Sequence, residues 1–260
     1  MNQSTQQTDS EVRFKLPRVA FFGRTLAEYL QMFSLNLEEL RGMKILDVAS
    51  GPGSFVAEAR ALGLDVTGCD PLYAHDADSI TAQGKADIDA CREQIRKNPR
   101  ALIYRDIDTF YREKYSALEQ FATDFRRRGG DRRYVAGALP SLPFSDKAFD
   151  VVLSANFLMI YAPLADGGMH DGEDFGLEFH RQAFQELARL AKWEVRVAGM
   201  HTWTQPPEPH PYCGPVTRVL EEAGFVVKLV PSDYDDGCQA GEGHANQSLV
   251  GRIRKRAAER

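Results

Sequence analysis

Cysteine is scarce in this 260-residue chain: Cys69, Cys91, Cys213 and Cys238 are the only four, and no CxxC pair occurs. That scatter excludes a disulfide-stapled scaffold and a zinc knuckle, and implies reduced thiols. A basic excess is also missing. The 32 Lys and Arg face 37 Asp and Glu, for a formal net charge of -5, which argues against a general nucleic-acid binder. No run reaches 18 uninterrupted apolar residues, so no membrane helix is expected. Met1 to Ser10 is polar, without the basic region and apolar core of a secretion signal, and a cytoplasmic location is the default expectation. Histidines are few, and His201, His210, Cys213 and His244 are too irregularly spaced to predict a metal site.

What the chain does have is 43% hydrophobic residues over a length that can bury one sizeable core. Within it stands the run Lys44-Ile45-Leu46-Asp47-Val48-Ala49-Ser50-Gly51-Pro52-Gly53-Ser54-Phe55. It reads as a buried strand, a glycine turn and the start of a helix. Leu64 to Cys69 then gives a second apolar strand ending in Asp70, 23 positions after Asp47. This is the layout of a nucleoside-binding α/β unit. Glycine at 51 and 53 lets the backbone turn sharply and leaves room for a ligand. Asp47 can accept a hydrogen bond from an ammonium group, and Asp70 from two ribose hydroxyls. A cationic amino-acid end and a ribose on one ligand describe S-adenosylmethionine.

On these residues the chain resembles the class I S-adenosylmethionine-dependent methyltransferases, in their small-molecule branch. The resemblance covers roughly residues 40 to 230. It implies S-adenosylmethionine as cofactor, S-adenosylhomocysteine as product, and contacts from Asp47, Ser50, Gly51, Gly53 and Asp70, with Pro71 and Leu72 beside the adenine and Asn156 at the end of the fourth strand. Arg132 to Phe144, leading into Phe149 to Asn156, is similar to the third and fourth strands of that branch. Two departures stand out: Ala138 occupies the place where many relatives carry an acid for the adenine amino group, and Ala49 replaces the first glycine of the fullest motif. A nicotinamide-binding Rossmann domain is the nearest competitor. It gives no reason for Asp47, and the full GxGxxG is absent because position 56 is Val56.

The expected fold is α/β: a Rossmann-like seven-stranded sheet, mostly parallel, with an antiparallel last strand, helices on both faces and a helical insertion. Residues 1–12 are expected to be a disordered tail, followed by one domain over 13–260. In it an amphipathic helix over 24–40 caps the pocket, and residues 73–130 form a helical insertion with helices near 79–97 and 106–128. Residues 156–174 are expected to face the methyl group as a mobile lid. The candidate catalytic residues are His201, His170 and Tyr161, with either histidine as base and Trp203 as an apolar or cation-binding wall. The loop 232–246, rich in Asp and Gly, is expected to stay wet.

The expected activity is methyl transfer to a small metabolite, the acceptor being O, N, S or C. An RNA methyltransferase using Arg126 to Arg128 and Arg132-Arg133 is the first alternative, and a cofactor-binding protein without transfer the second. The prolines that mark nucleic-acid amine methyltransferases after the fourth strand are absent from Asn156-Phe157-Leu158-Met159. The expected partner is therefore a small molecule, with neither nucleic acid nor membrane, and a homo-oligomer stays open.

Overall fold

The computed structural model describes Leu16 and residues 18–97, 107–127, 131–204, 207–234 and 247–253. The expected tail over 1–12, the junction between the insertion helices, Arg128 and most of the loop 232–246 lie outside the described residues. Seven strands form one sheet in the order β3-β2-β1-β4-β5-β7-β6. They are β1 (Lys44–Val48), β2 (Asp65–Cys69), β3 (Tyr134–Val135), β4 (Phe149–Ser154), β5 (Ala191–Ala198), β6 (Phe225–Pro231) and β7 (Gln247–Ile253). β1 to β5 pair in parallel, and β7 runs antiparallel to both β5 and β6. This is the expected Rossmann-like seven-stranded topology, reversed strand included.

Strand alternation divides the core between the two faces. Ile45, Val66, Val151 and Leu153 pack toward α1 (Leu26–Phe33), α3 (Phe55–Ala61) and the insertion helices. Leu46, Val48, Val152, Val195 and Val197 pack toward α6 (Leu177–Leu190) and α7 (Cys213–Glu222). Asp47 follows Ile45 by two positions, so it projects onto the face of α1 and α3.

The helix expected over 24–40 is two helices. Thr25 and Glu28 close a capping box at the start of α1. Ser34, at φ 48° in the left-handed region, ends it, and Asn36 caps the short α2 (Leu37–Leu40). The insertion carries α4 (Ala77–Lys97) and α5 (Ile107–Arg127), packed on each other. Gly84 permits the close approach, since a Cβ there would lie 2.9 Å from Leu118 Cδ1. Phe121 and Phe125 of α5 join Tyr73 and Tyr134 in an aromatic cluster, with centroid separations of 5.1 to 5.8 Å. That cluster anchors the insertion to the β3 edge of the sheet. No helix among the described residues is long and apolar enough to cross a membrane.

Candidate functional site

Between β1 and β4 the strand order reverses, and in open α/β sheets ligands bind beyond the strand ends at such a switch point. A cavity of about 320 Å³ lies there, at the lower end of the ~300–1,000 Å³ typical of ligand sites. Its floor is made by the strand ends: Val48 and Ala49 after β1, Asp70 after β2, Gly137 and Ala138 after β3, and Ala155 and Asn156 after β4.

Among the described residues Asp70 is the one carboxylate in this wall, and it is 6% exposed. One oxygen accepts the Gly51 N–H and the other the Leu72 N–H, both at 2.9 Å. Each oxygen keeps a further lone pair for a ligand. Burial without a cation beside it pushes the Asp70 pKa up to about 6. Gly51 sits at φ 56° with open space where a Cβ would project. Ala49 also has a positive φ, 55°, the conformation that glycine adopts more readily.

Asp47 is fully buried one layer behind this wall. Its oxygens accept from the Tyr29 hydroxyl at 2.8 Å and the Ser50 hydroxyl at 2.5 Å, and burial raises its pKa to about 7. The β1 alternation thus turns it toward α1, and it braces the glycine loop from beneath. Gly53 also differs from its expected use. A Cβ there would fall 2.8 Å from both Arg24 N and Arg24 O, and one on Gly23 would fall 2.2 Å from Pro52 O. The two glycines let the chain's own residues 23–24 cross the loop, so the space beside Gly53 is filled by backbone. Ser50 and Leu72 likewise support the loop from outside the cavity wall, whereas Pro71 lines it.

That crossing segment is a strap over the cavity, which no local pattern announces. Leu16 N–H donates to Met169 O at 2.9 Å. Arg18 pairs with the buried Asp87 of α4, which also accepts the Phe21 N–H at 3.0 Å. Ala20 N–H donates to the Tyr161 hydroxyl at 2.9 Å, and that hydroxyl donates back to Ala20 O at 3.2 Å. Tyr161 therefore lines the cavity with its ring while its oxygen holds the strap. Asp87→Ala removes several of these ties, worth about 2 kcal/mol together. Trypsin cleavage after Arg18 is expected to become at least about tenfold faster. An unchanged cleavage rate would show that the strap is held by apolar packing instead.

The two candidate histidines stand outside the cavity wall. After β5, Gly199 turns the chain at φ 74°, and His201 bridges to Pro209. Its Nδ1 lies 3.0 Å from Thr202 O. His170 is in the 156–174 segment, bridging to Leu16 and Pro163, with its ring 5.0 Å from that of Phe175. Trp203 and Asn156 do line the cavity, both more than nine-tenths buried, and neither Trp203 Nε1 nor Asn156 Nδ2 has a partner among the described residues.

Arg24, which the sequence did not single out, also lines the cavity beside the glycine loop. Its guanidinium lies over the Tyr234 ring, 5.7 Å from the centroid, and its Nε has no partner among the described residues. Behind it, Glu28 Oε1 accepts from Lys114 and from Tyr234 Oη at 2.9 Å. Burial pushes the Glu28 pKa up, but Lys114 and Arg24 more than offset it and hold it at about 2. No group of metal-ligating side chains occurs among the described residues.

No protein-family model matches the chain. An uncharacterised protein of Methanocaldococcus jannaschii is 28% identical over 186 residues, spanning 70% of this chain and 78% of that protein. Among solved structures, magnesium protoporphyrin IX methyltransferase from Synechocystis PCC 6803 with bound SAM is 14% identical, over 84% of this chain and 73% of that one, with a TM-score of 0.44. A TehB-like SAM-dependent methyltransferase from Corynebacterium glutamicum is 16% identical over 84% and 85%, also at a TM-score of 0.44. At these identities and scores, no activity passes to this chain.

Proposed function

We propose that this chain is an S-adenosylmethionine-dependent methyltransferase acting on a small molecule. The observation that carries the reading is Asp70, a buried carboxylate at the end of β2, facing a cavity across the left-handed Gly51 turn with acceptor capacity to spare. A ribose diol fits that acceptor. The cationic Arg24, which lines the cavity beside the glycine loop, suits the carboxylate of the amino-acid end. Pro71, Ala138, Leu139 and Leu142 offer the adenine an apolar slot. Asp47, Ser50 and Gly53 serve the cofactor by fixing the loop that carries Gly51.

The bound cofactor supplies an electrophilic methyl group, and the protein's task is to align it and exclude water. The strap, Leu16 with residues 18–24, closes one side of the cavity. The ring of Phe157 and the segment to Phe179 close another. The RNA alternative loses ground because two of the arginines it draws on are engaged: Arg126 pairs with Asp78, and Arg133 with Asp124 and Asp131.

The direct test is calorimetry and thermal melting with S-adenosylhomocysteine, followed by transfer of a labelled methyl group into a metabolite extract. Saturable binding and labelling support the reading, binding without labelling moves a non-catalytic cofactor binder to first place, and no binding overturns it. The acid range gives a further prediction. Protonated Asp70 loses its charge for the ribose hydroxyls, so affinity should weaken as pH falls below about 6, approaching about tenfold per pH unit. Asp70→Asn should flatten that dependence, and a wild-type profile flat from pH 7 to 5 would remove Asp70 from the contact.

A further inference from the structure

Seven of the described phenylalanines are buried in the core, and seven stay partly exposed. Six of the second seven line the cavity, Phe144 being the exception. They reach it from separate parts of the fold: Phe21 and Phe22 from the strap, Phe110 from α5, Phe157 after β4, and Phe175 and Phe179 around the start of α6. Most of them gather in two clusters. Phe157, Phe175 and Phe179 meet edge to face with centroids 4.9 to 6.3 Å apart, and Phe22 stacks on Phe110 at 6.4 Å. Rings left against water are unfavourable, so their concentration at one cavity marks a surface built to be covered by a ligand. Adenine does not account for it, because its slot, Pro71 with Ala138, Leu139 and Leu142, follows β2 and β3.

Charge narrows the class further. Among the described residues, the charged side chains lining the cavity are Arg24, Asp70 and Lys114. The first two serve the amino-acid carboxylate and the ribose in the cofactor reading above, on which this inference rests. Lys114 is 1% exposed and held by Glu28, with its Nζ 5.0 Å from the Phe110 centroid. An anionic acceptor would lose its hydration with no cation left to receive it. A cationic acceptor would find no second carboxylate in the wall, and the Phe110 ring already carries the Lys114 ammonium. We propose that the methyl acceptor is a flat, uncharged aromatic molecule that covers the partly exposed rings of both clusters. Ring edges and faces reward such a molecule over a saturated one of similar size.

The test needs no turnover. The full chain saturated with S-adenosylhomocysteine is titrated by calorimetry near neutral pH with four probes on one scaffold: 2-naphthol, 2-naphthoate, 2-naphthylmethylamine and decahydro-2-naphthol. 2-Naphthol is expected to bind at least about tenfold tighter than the anion and the protonated amine, which must shed their hydration. It should bind at least about threefold tighter than the saturated alcohol. Phe175→Leu and Phe110→Leu, one in each cluster, keep an apolar wall and remove a ring. Each should weaken 2-naphthol at least about threefold, while retained heat with S-adenosylhomocysteine shows that the variant is folded. If one variant loses that heat as well, the other carries the measurement. An ionic probe within tenfold of 2-naphthol, the saturated alcohol within threefold, wild-type 2-naphthol affinity in a folded variant, or no binding by any probe overturns the proposal. Failure of the cofactor reading is seen separately, as no heat when the wild-type chain is titrated with S-adenosylhomocysteine itself.

Discussion

Asp70→Ala is expected to weaken S-adenosylhomocysteine binding by at least about 100-fold and to abolish its effect on the melting temperature. Two hydroxyl hydrogen bonds to a buried carboxylate are worth about 1.5–3 kcal/mol each. The variant also strips the Gly51 and Leu72 N–H groups of their partner, so part of the loss is a loosened loop. Asp70→Asn separates the two effects, because its amide oxygen can still accept from one N–H while the charge is gone. Calorimetry on both variants gives the answer. Affinity within threefold of wild type in Asp70→Ala would place the ribose elsewhere.

The second large effect is on stability. Lys114 is 1% exposed and its ammonium sits on Glu28, which also accepts the Thr25 N–H at 2.8 Å and the Tyr234 hydroxyl. One carboxylate thereby joins α1, α5 and the residues after β6. Lys114→Met leaves Glu28 buried beside Arg24 alone, and breaking such a pair costs about 3–5 kcal/mol, or roughly 10 °C in Tm for a chain of this size. The double variant Glu28→Gln with Lys114→Met should recover only part of the loss, since Arg24 is then left buried without the Glu28 charge beside it. A single variant that melts with wild type would show that the ion pair contributes nothing. The pH sign follows from Glu28, held at about 2 against an ordinary 4.5. Its contribution is complete above 4.5 and is lost as pH falls toward 2. The Glu28→Gln chain should lack that component in acid melts.

Much of the fold was legible because local patterns and sheet topology agree. The apolar runs at Lys44 to Val48 and Asp65 to Cys69, separated by a glycine turn, are buried parallel strands. The helix-like periods near 79–97 and 106–128 are α4 and α5 to within two residues. The single cap helix was not legible as two, because Ser34 takes a left-handed backbone that the apolar spacing does not announce.

The site was legible in part, and the line falls where side-chain direction matters. Chain order alone fixed that an acid and a glycine turn would meet at the ends of adjacent strands, since parallel neighbours in one α/β unit have little choice of placement. Only the tertiary structure decided that Asp70 faces the cavity while Asp47 turns behind it, that the space at Gly53 belongs to Arg24 backbone, and that His201 and His170 stand outside the wall. Those outcomes depend on which face a strand residue presents, and on contacts such as Ala20 with Tyr161, 141 positions apart. Local pattern carries no record of contacts at that distance, because they are settled by packing of the whole chain.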